Sequence, residues 1–162
     1  MVRKLEVLKL TPESFIEFGQ VITTENIQPD GGDENFAWWE RVSSFENIDS
    51  ISVNILQCKK REFKVDKLEY HKETPEAIIP LAGEHIILVV ATAGELDESR
   101  IKAFSVDTGI GVVLNVGVRH FIPYPINKNV NCVIIFKDAT GGNDLILEEL
   151  SESYEITFSN NN

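Results

Sequence analysis

Cysteine is scarce in this 162-residue chain, with only Cys58 and Cys132 present. Both sit in apolar or alternating stretches, so two buried, reduced thiols are expected and a disulfide framework is not. Basic residues are also few, 15 Lys and Arg against 26 Asp and Glu, for a net charge of −11. That field repels nucleic-acid phosphates and anionic lipid head groups, and neither is an expected partner. It also slows the approach of an anionic metabolite, so an acidic substrate needs a local cation; Arg41, Arg119 and Lys72 are the candidates. No apolar run approaches the roughly 20 residues of a membrane span. No N-terminal stretch joins a basic start to an apolar segment and a small-residue cleavage site, so the expected location is the cytoplasm. Internal repeats, linkers and low-complexity blocks are absent from the sequence.

What is present is ordinary for a globular chain: 43% hydrophobic and 25% charged residues. A single domain over 1–158 is expected, with 159–162 read as a frayed tail. Thr11-Pro12-Glu13-Ser14-Phe15-Ile16-Glu17-Phe18-Gly19 carries a Thr N-cap, a Pro at the first helical position and a Gly stop, which predicts one short N-terminal helix. From Val21 to Asn47 the chain is polar and turn-rich, with a surface loop expected at 28–33. Phe36, Trp38 and Trp39 interrupt that region, the two tryptophans as packing residues or as the lining of a pocket or dimer interface.

Beyond Ser50 the pattern turns to period two. Ile51-Ser52-Val53-Asn54-Ile55 and Glu62-Phe63-Lys64-Val65-Asp66 read as strands with one wet face. Ile86 to Ala91, Val112 to Val116 and Cys132 to Phe136 are denser apolar runs, each short and bounded by Gly, Pro or Asn, and read as buried strands of a sandwich or barrel. Tyr154-Glu155-Ile156-Thr157-Phe158 alternates again. The expected class is all-β.

The residues that carry chemistry fall in two blocks. In Lys67-Leu68-Glu69-Tyr70-His71, positions 69 and 71 share one face of a strand and can chelate. Thr74-Pro75-Glu76 then turns the chain, so Glu76 can point inward from the next strand. The second block, Gly109 to His120, sets His120 just past a Gly-containing turn. Two imidazoles and two carboxylates converging on one point suit Mn, Fe, Zn, Co or Ni without selecting among them. His85 follows Gly83-Glu84 in an expected hairpin and reads as exposed and inert, and Gly141-Gly142-Asn143 reads as a turn.

The spacing resembles the cupin signature, Gly-x5-His-x-His-x3or4-Glu-x6-Gly followed by Gly-x5-Pro-x-Gly-x2-His-x3-Asn. Here Glu69-x-His71-x4-Glu76-x6-Gly83 has Glu for the first His. Gly109-x5-Asn115-x-Gly117-x2-His120-x3-Tyr124 has Asn for Pro and Tyr for Asn. The resemblance implies a cupin-type antiparallel β-barrel (jelly roll) holding its site in the mouth, often as a homodimer.

Leu10-Thr11-Pro12-Glu13-Ser14-Phe15-Ile16-Glu17-Phe18-Gly19-Gln20-Val21-Ile22 also resembles the opening of the bacterial ureidoglycolate lyase family. Glu69-Tyr70-His71-Lys72-x3-Glu76-Ala77-Ile78-Ile79-Pro80-Leu81 resembles that family's Glu-Arg-His-x4-Gln-Ala-Phe-Ile-Pro-Leu. Gly117-Val118-Arg119-His120 resembles its Gly-Val-Trp-His. The chain departs from the family at Glu76 for Gln, Arg119 for Trp, Phe121 for the second His, and Phe136-Lys137 for a closing Asp-Arg pair.

The resemblance implies a lyase splitting ureidoglycolate into glyoxylate and urea, a step in allantoin and purine breakdown. A divalent metal (Mn, Zn, Ni or Fe) on Glu69, His71, Glu76 and His120 would lower the substrate hydroxyl pKa. His120, His71 and Glu69 are then the catalytic candidates, and Arg119, Lys72 and Tyr124 the substrate-binding ones, Arg119 as a bidentate clamp on the carboxylate. If all four groups ligate, Tyr70, Tyr124, Lys72 or a bound hydroxide must move the proton. Two other readings remain: a cupin metalloenzyme for another hydroxy acid or sugar derivative, and a non-catalytic ligand-binding barrel.

Overall fold

A computed structural model describes residues 3–81 and 83–158, and the expected frayed tail at 159–162 lies outside them. Strands dominate. The first half comprises β1 (Arg3–Lys9), helix α1 (Pro12–Phe15), β2 (Gly19–Ile22), β3 (Gly31–Gly32), β4 (Ala37–Trp38), β5 (Ile51–Cys58), β6 (Lys64–Tyr70), β7 (Glu76–Pro80) and β8 (Ile86–Ala91). After a 3₁₀ turn (Glu98–Arg100) come β9 (Lys102–Val106), β10 (Gly111–Leu114), β11 (Arg119–His120), β12 (Tyr124–Pro125), β13 (Val130–Lys137), helix α2 (Thr140–Asn143) and β14 (Ile146–Thr157). No described helix is long and apolar enough to cross a membrane.

The expected helix is there but short. Thr11 Oγ1 accepts from Ser14 N at 3.1 Å and Ser14 Oγ accepts from Thr11 N at 3.0 Å, a reciprocal cap that starts α1. The helix runs one turn, to Phe15, and the chain becomes a strand at Gly19. A second helix, α2, replaces the turn expected at Gly141-Gly142-Asn143.

β2, β10, β7, β13 and β5 form one antiparallel sheet in that order. In the other sheet β11 bonds to both β6 and β8, which closes β6, β14, β1, β9, β8 and β11 into a ring. The expected β-barrel is present, and it is mixed: β1 runs parallel to both β14 and β9, where the expectation is antiparallel. β1 and β14 come from opposite ends of the chain, so no hairpin dictates their direction.

Two apolar layers result. Ile86, Leu88 and Val90 of β8 pack between the sheets with Phe15, Phe18 and Phe104, while Ile87, Val89 and Ala91 point into the ring with Leu68 and Tyr124. A strand buried on both faces must be apolar at every position, which explains the unbroken Ile86 to Ala91 run. The three phenylalanines meet at centroid distances of 5.4–5.8 Å, tilted or edge-on.

β5 departs from expectation. Its alternation is real, but the faces are reversed: Ile51, Val53 and Ile55 are 45%, 71% and 63% exposed, while Ser52 and Asn54 face inward beside Leu56 and Cys58. β5 is the sheet edge, and Val133 and Ile135 of β13 stand beside Ile55 and Val53, widening the outer apolar stripe. Cys58 and Cys132 are buried and free, as expected, with sulfurs 3.9 Å apart.

Gly19 sits opposite Leu114, where β2 joins the sheet, and a Cβ there would lie 1.9 Å from the Val113 carbonyl oxygen. The β10 backbone at Val113 and Leu114 cannot yield, so Gly19→Ala is expected to lower stability by about 2–4 kcal/mol in urea unfolding. Gly142→Ala, with nothing within 4 Å, is the control and should change it by less than about 0.5 kcal/mol.

Candidate functional site

Glu69 is the last residue but one of β6, Glu76 begins β7, and His120 lies on β11 directly opposite Glu69. The turn joining β6 to β7 is fixed from outside. The Asp144 carboxylate, just after α2, accepts from the main-chain N–H groups of Lys72 at 2.9 Å and Glu73 at 2.8 Å. Thr74 Oγ1 accepts from Lys137 N at 2.9 Å, pinning the same turn to β13. The two sequence blocks meet where Gly117 N donates to His71 O at 2.7 Å.

Both imidazoles are oriented by main-chain carbonyls. His71 Nδ1 lies 2.6 Å from Asp144 O, and His120 Nδ1 lies 3.1 Å from Val118 O. A carbonyl only accepts, so each Nδ1 carries the proton and each Nε2 faces the centre. There Glu76 Oε2 stands 3.0 Å from His71 Nε2 and 2.8 Å from His120 Nε2. Glu69 Oε1 is farther out, 3.8 Å from His120 Nε2. His71, Glu76 and His120 are only 4%, 7% and 2% exposed.

The charges follow from this packing. Burial alone would raise Glu76, but the two imidazoles, His120 above all, outweigh it and hold the carboxyl down to about 2. Burial opposes charge on His71 and His120, yet the Glu76 carboxylate raises both. Glu69 moves the other way: burial raises it, and Glu76 adds to the rise, with His120 opposing.

His71, Glu76 and His120 each offer one donor atom, all within 4.8 Å of one another. Apart from its 2.8 Å ion-pair approach to Glu76 Oε2, the buried His120 Nε2 has no hydrogen-bond partner among the described residues. An aimed but unpartnered imidazole nitrogen in a buried His-Glu-His group is compatible with a divalent metal site. The donor set does not identify the ion.

The group opens on a cavity of about 280 Å³ lined by Glu69, His71 and Glu76, together with Asn54, Ile55, Leu56, Ile122, Ile134, Phe136, Gly141 and Leu145. This is the size of a small-metabolite site. Among the described residues no lysine or arginine lines it.

Strand parity divides the remaining sequence candidates from this cavity. Arg119 precedes His120 and points to the opposite face, where Nε and Nη2 donate to Glu148, Nη1 donates to Thr92 O at 3.1 Å, and the guanidinium stacks 4.9 Å from the Tyr70 ring. It does not reach the cavity as a carboxylate clamp. Tyr124 points into the ring and donates to Lys64 O at 2.7 Å, with the Arg61 guanidinium 3.8 Å above its ring. Lys72 is exposed, its Nζ 6.0 Å from the Tyr70 ring. None of the three expected substrate-binding residues lines the cavity.

Arg41 and Trp39 line a separate surface depression near Ile16 and Gln20, and Trp38 is 54% exposed. His85 is not wholly free of partners, since its Nδ1 lies 3.1 Å from Asp107 Oδ1. Two residues that matter had no signal in the sequence: Asp144, which sets His71 from 73 positions away, and Asn54, which the reversed faces of β5 turn inward.

Comparison with known proteins bears on the chemistry. The solved structures matched include RmlC from Streptococcus suis in complex with dTDP-D-xylose, 12% identical over 55% of this chain and 44% of that one, TM-score 0.45. Another is a mutant of the 3,4-ketoisomerase QdtA from Thermoanaerobacterium thermosaccharolyticum, 14% identical over 80% of this chain and 83% of that one, TM-score 0.44. No chemistry is carried across from either. Among curated proteins, a ureidoglycolate lyase of Pseudomonas paraeruginosa is 28% identical over 88% of both chains. One of Burkholderia mallei is 29% identical over 96% of this chain and 95% of its own. The family model described as ureidoglycolate lyase matches residues 2–157, nearly end to end, and the chain belongs to that family.

Proposed function

We propose that this chain, as a single domain, cleaves ureidoglycolate to glyoxylate and urea in the cavity beside His71, Glu76 and His120, a step in allantoin breakdown. The observation that carries the reading is the buried His-Glu-His group at the wall of a metabolite-sized cavity, in a chain matched throughout by the lyase family. His71, Glu76 and His120 would hold a divalent metal, Mn, Zn, Ni or Fe, with the two Nε2 atoms already aimed by their Nδ1 hydrogen bonds. When bound, such an ion supplies Lewis acidity toward the substrate hydroxyl and carboxylate.

Glu69 stands outside the tight group of three, and this leaves it free for proton transfer. Its side chain is 16% exposed, it lines the cavity, and burial raises its pKa, which makes it a stronger base. Glu69 takes the substrate hydroxyl proton as the carbonyl forms, and returns it to the nitrogen as the C–N bond breaks. One proton moves from oxygen to nitrogen and none is gained or lost. The apolar wall of Ile122, Ile134 and Phe136 excludes water from that exchange.

A homodimer is part of the same reading. The outer stripe of Ile51, Val53 and Ile55 has no charged residue on its strand, a requirement for contact between two chains of net charge −11. Edge strands usually carry a charge, a Pro or a bulge against self-pairing, and β5 has neither charge nor Pro. Cytoplasmic placement is supported by Cys58 and Cys132, free at 3.9 Å.

Four outcomes test this. The purified enzyme assayed with Mn, Zn, Ni or Fe should release equimolar glyoxylate and urea. Glu69→Gln should lose about 10²–10⁴-fold in kcat with metal content kept, while His71→Ala loses the metal; no turnover with any ion would leave only a binding barrel. Arg119→Met should lower unfolding stability by about 2–3 kcal/mol, leaving Glu148 unpaired, with KM within about twofold of wild type; a large rise in KM would return Arg119 to the substrate. Light scattering after size exclusion should give a dimer for the wild type and a monomer for Val53→Lys.

A further inference from the structure

The inward side of β5 carries two polar residues, Ser52 and Asn54, beside the apolar Leu56 and Cys58. Asn54 is the one that lines the cavity. Its Nδ2 donates to Ser52 Oγ at 3.0 Å and to Ile134 O at 3.4 Å. Because Ile134 O only accepts, the amide is held with its NH₂ toward the strands and its carbonyl oxygen the other way. No donor among the described residues reaches Asn54 Oδ1, so the cavity contains an oriented neutral acceptor without a protein partner.

Chemistry separates the two ends of a substrate in such a cavity. Its other polar groups, Glu69, His71 and Glu76, all belong to the reacting end, and everything else that lines it is apolar or glycine. A carboxylate gains nothing beside an amide oxygen. An N–H group does, and ureidoglycolate has N–H groups only on its ureido arm.

We propose that Asn54 Oδ1 accepts from the ureido N–H groups and so orients the substrate, with the carboxylate and hydroxyl toward the His71–Glu76–His120 end. The assignment makes Asn54 a specificity residue for a neutral N–H donor, and it rests on the lyase reading above for the identity of that donor.

The test uses the purified enzyme and compares Asn54→Leu, of similar size but without the acceptor, with Asn54→Asp, which keeps one. With Asn54→Leu, KM for ureidoglycolate should rise roughly tenfold and urea should weaken as a product inhibitor roughly tenfold, while kcat stays within about threefold. Inhibition by glyoxylate, which binds only the reacting end, should stay within about twofold of wild type. Asn54→Asp should still be inhibited by urea, a neutral ligand, within about threefold of wild type. Unchanged KM and urea inhibition in Asn54→Leu overturns the assignment. An equal loss of glyoxylate inhibition also overturns it, because the cavity as a whole has then collapsed. If the wild type turns over no ureidoglycolate, the lyase reading falls, and urea binding is read directly by saturation-transfer NMR at millimolar urea. Binding by wild type and not by Asn54→Leu then keeps the N–H subsite, and binding by neither removes it.

Discussion

A carboxylate buried to 7% exposure between two imidazoles is the constraint around which the site is built. Left alone at that depth, the Glu76 charge would cost roughly several kcal/mol, and removing either imidazole would return much of that cost. The surrounding structure therefore does two things at once: it brings His71 and His120 to within 3.0 Å and 2.8 Å of Glu76 Oε2, and it prevents either ring from turning away. Asp144 performs the second task for His71, its carbonyl on the ring and its carboxylate on the following turn. Val118 O does so for His120. Residues far apart in the sequence are thus committed to holding one small group of atoms.

Alternation along β6 and β11 keeps a second charged system separate from the first. Glu69 and His120 face the layer between the sheets, whereas Tyr70 and Arg119, one residue away on each strand, face the other side, where Arg119 stacks on Tyr70 and donates to Glu148. β11 has only two residues, yet it closes the ring and contributes to both systems. A register slip of one residue at β11 would put a guanidinium where the imidazole stands, so closure of the barrel and composition of the site are a single structural decision.

The fold class and the His71, Glu76 and His120 cluster were legible because both depend on local information: period-two alternation, short apolar runs bounded by turns, and fixed spacing within two blocks. What was not legible depends on pairing at long range. Arg119 looked available for a substrate because nothing in the sequence announces Glu148 as its partner on β14. Tyr124 looked like a site residue from its spacing after His120, but the chain between them carries it into the ring. The direction of β1 rests on neighbours at the far end of the chain. The reversed faces of β5 were hidden for a different reason: alternation fixes the period of a strand, and only the identity of what covers each face fixes which side is inward.

Charge sets the last step. The chain carries a net charge of −11, the cavity wall includes Glu69 and Glu76, and no lysine or arginine offsets them there. An anionic substrate entering such a cavity meets repulsion from every fixed charge except what lies between His71 and His120. A proton on either imidazole, which the Glu76 carboxylate favours, offsets that repulsion at one point of the wall. The remainder of the lining, Asn54 included, is neutral or apolar, so it suits the uncharged arm of the proposed substrate better than its carboxylate.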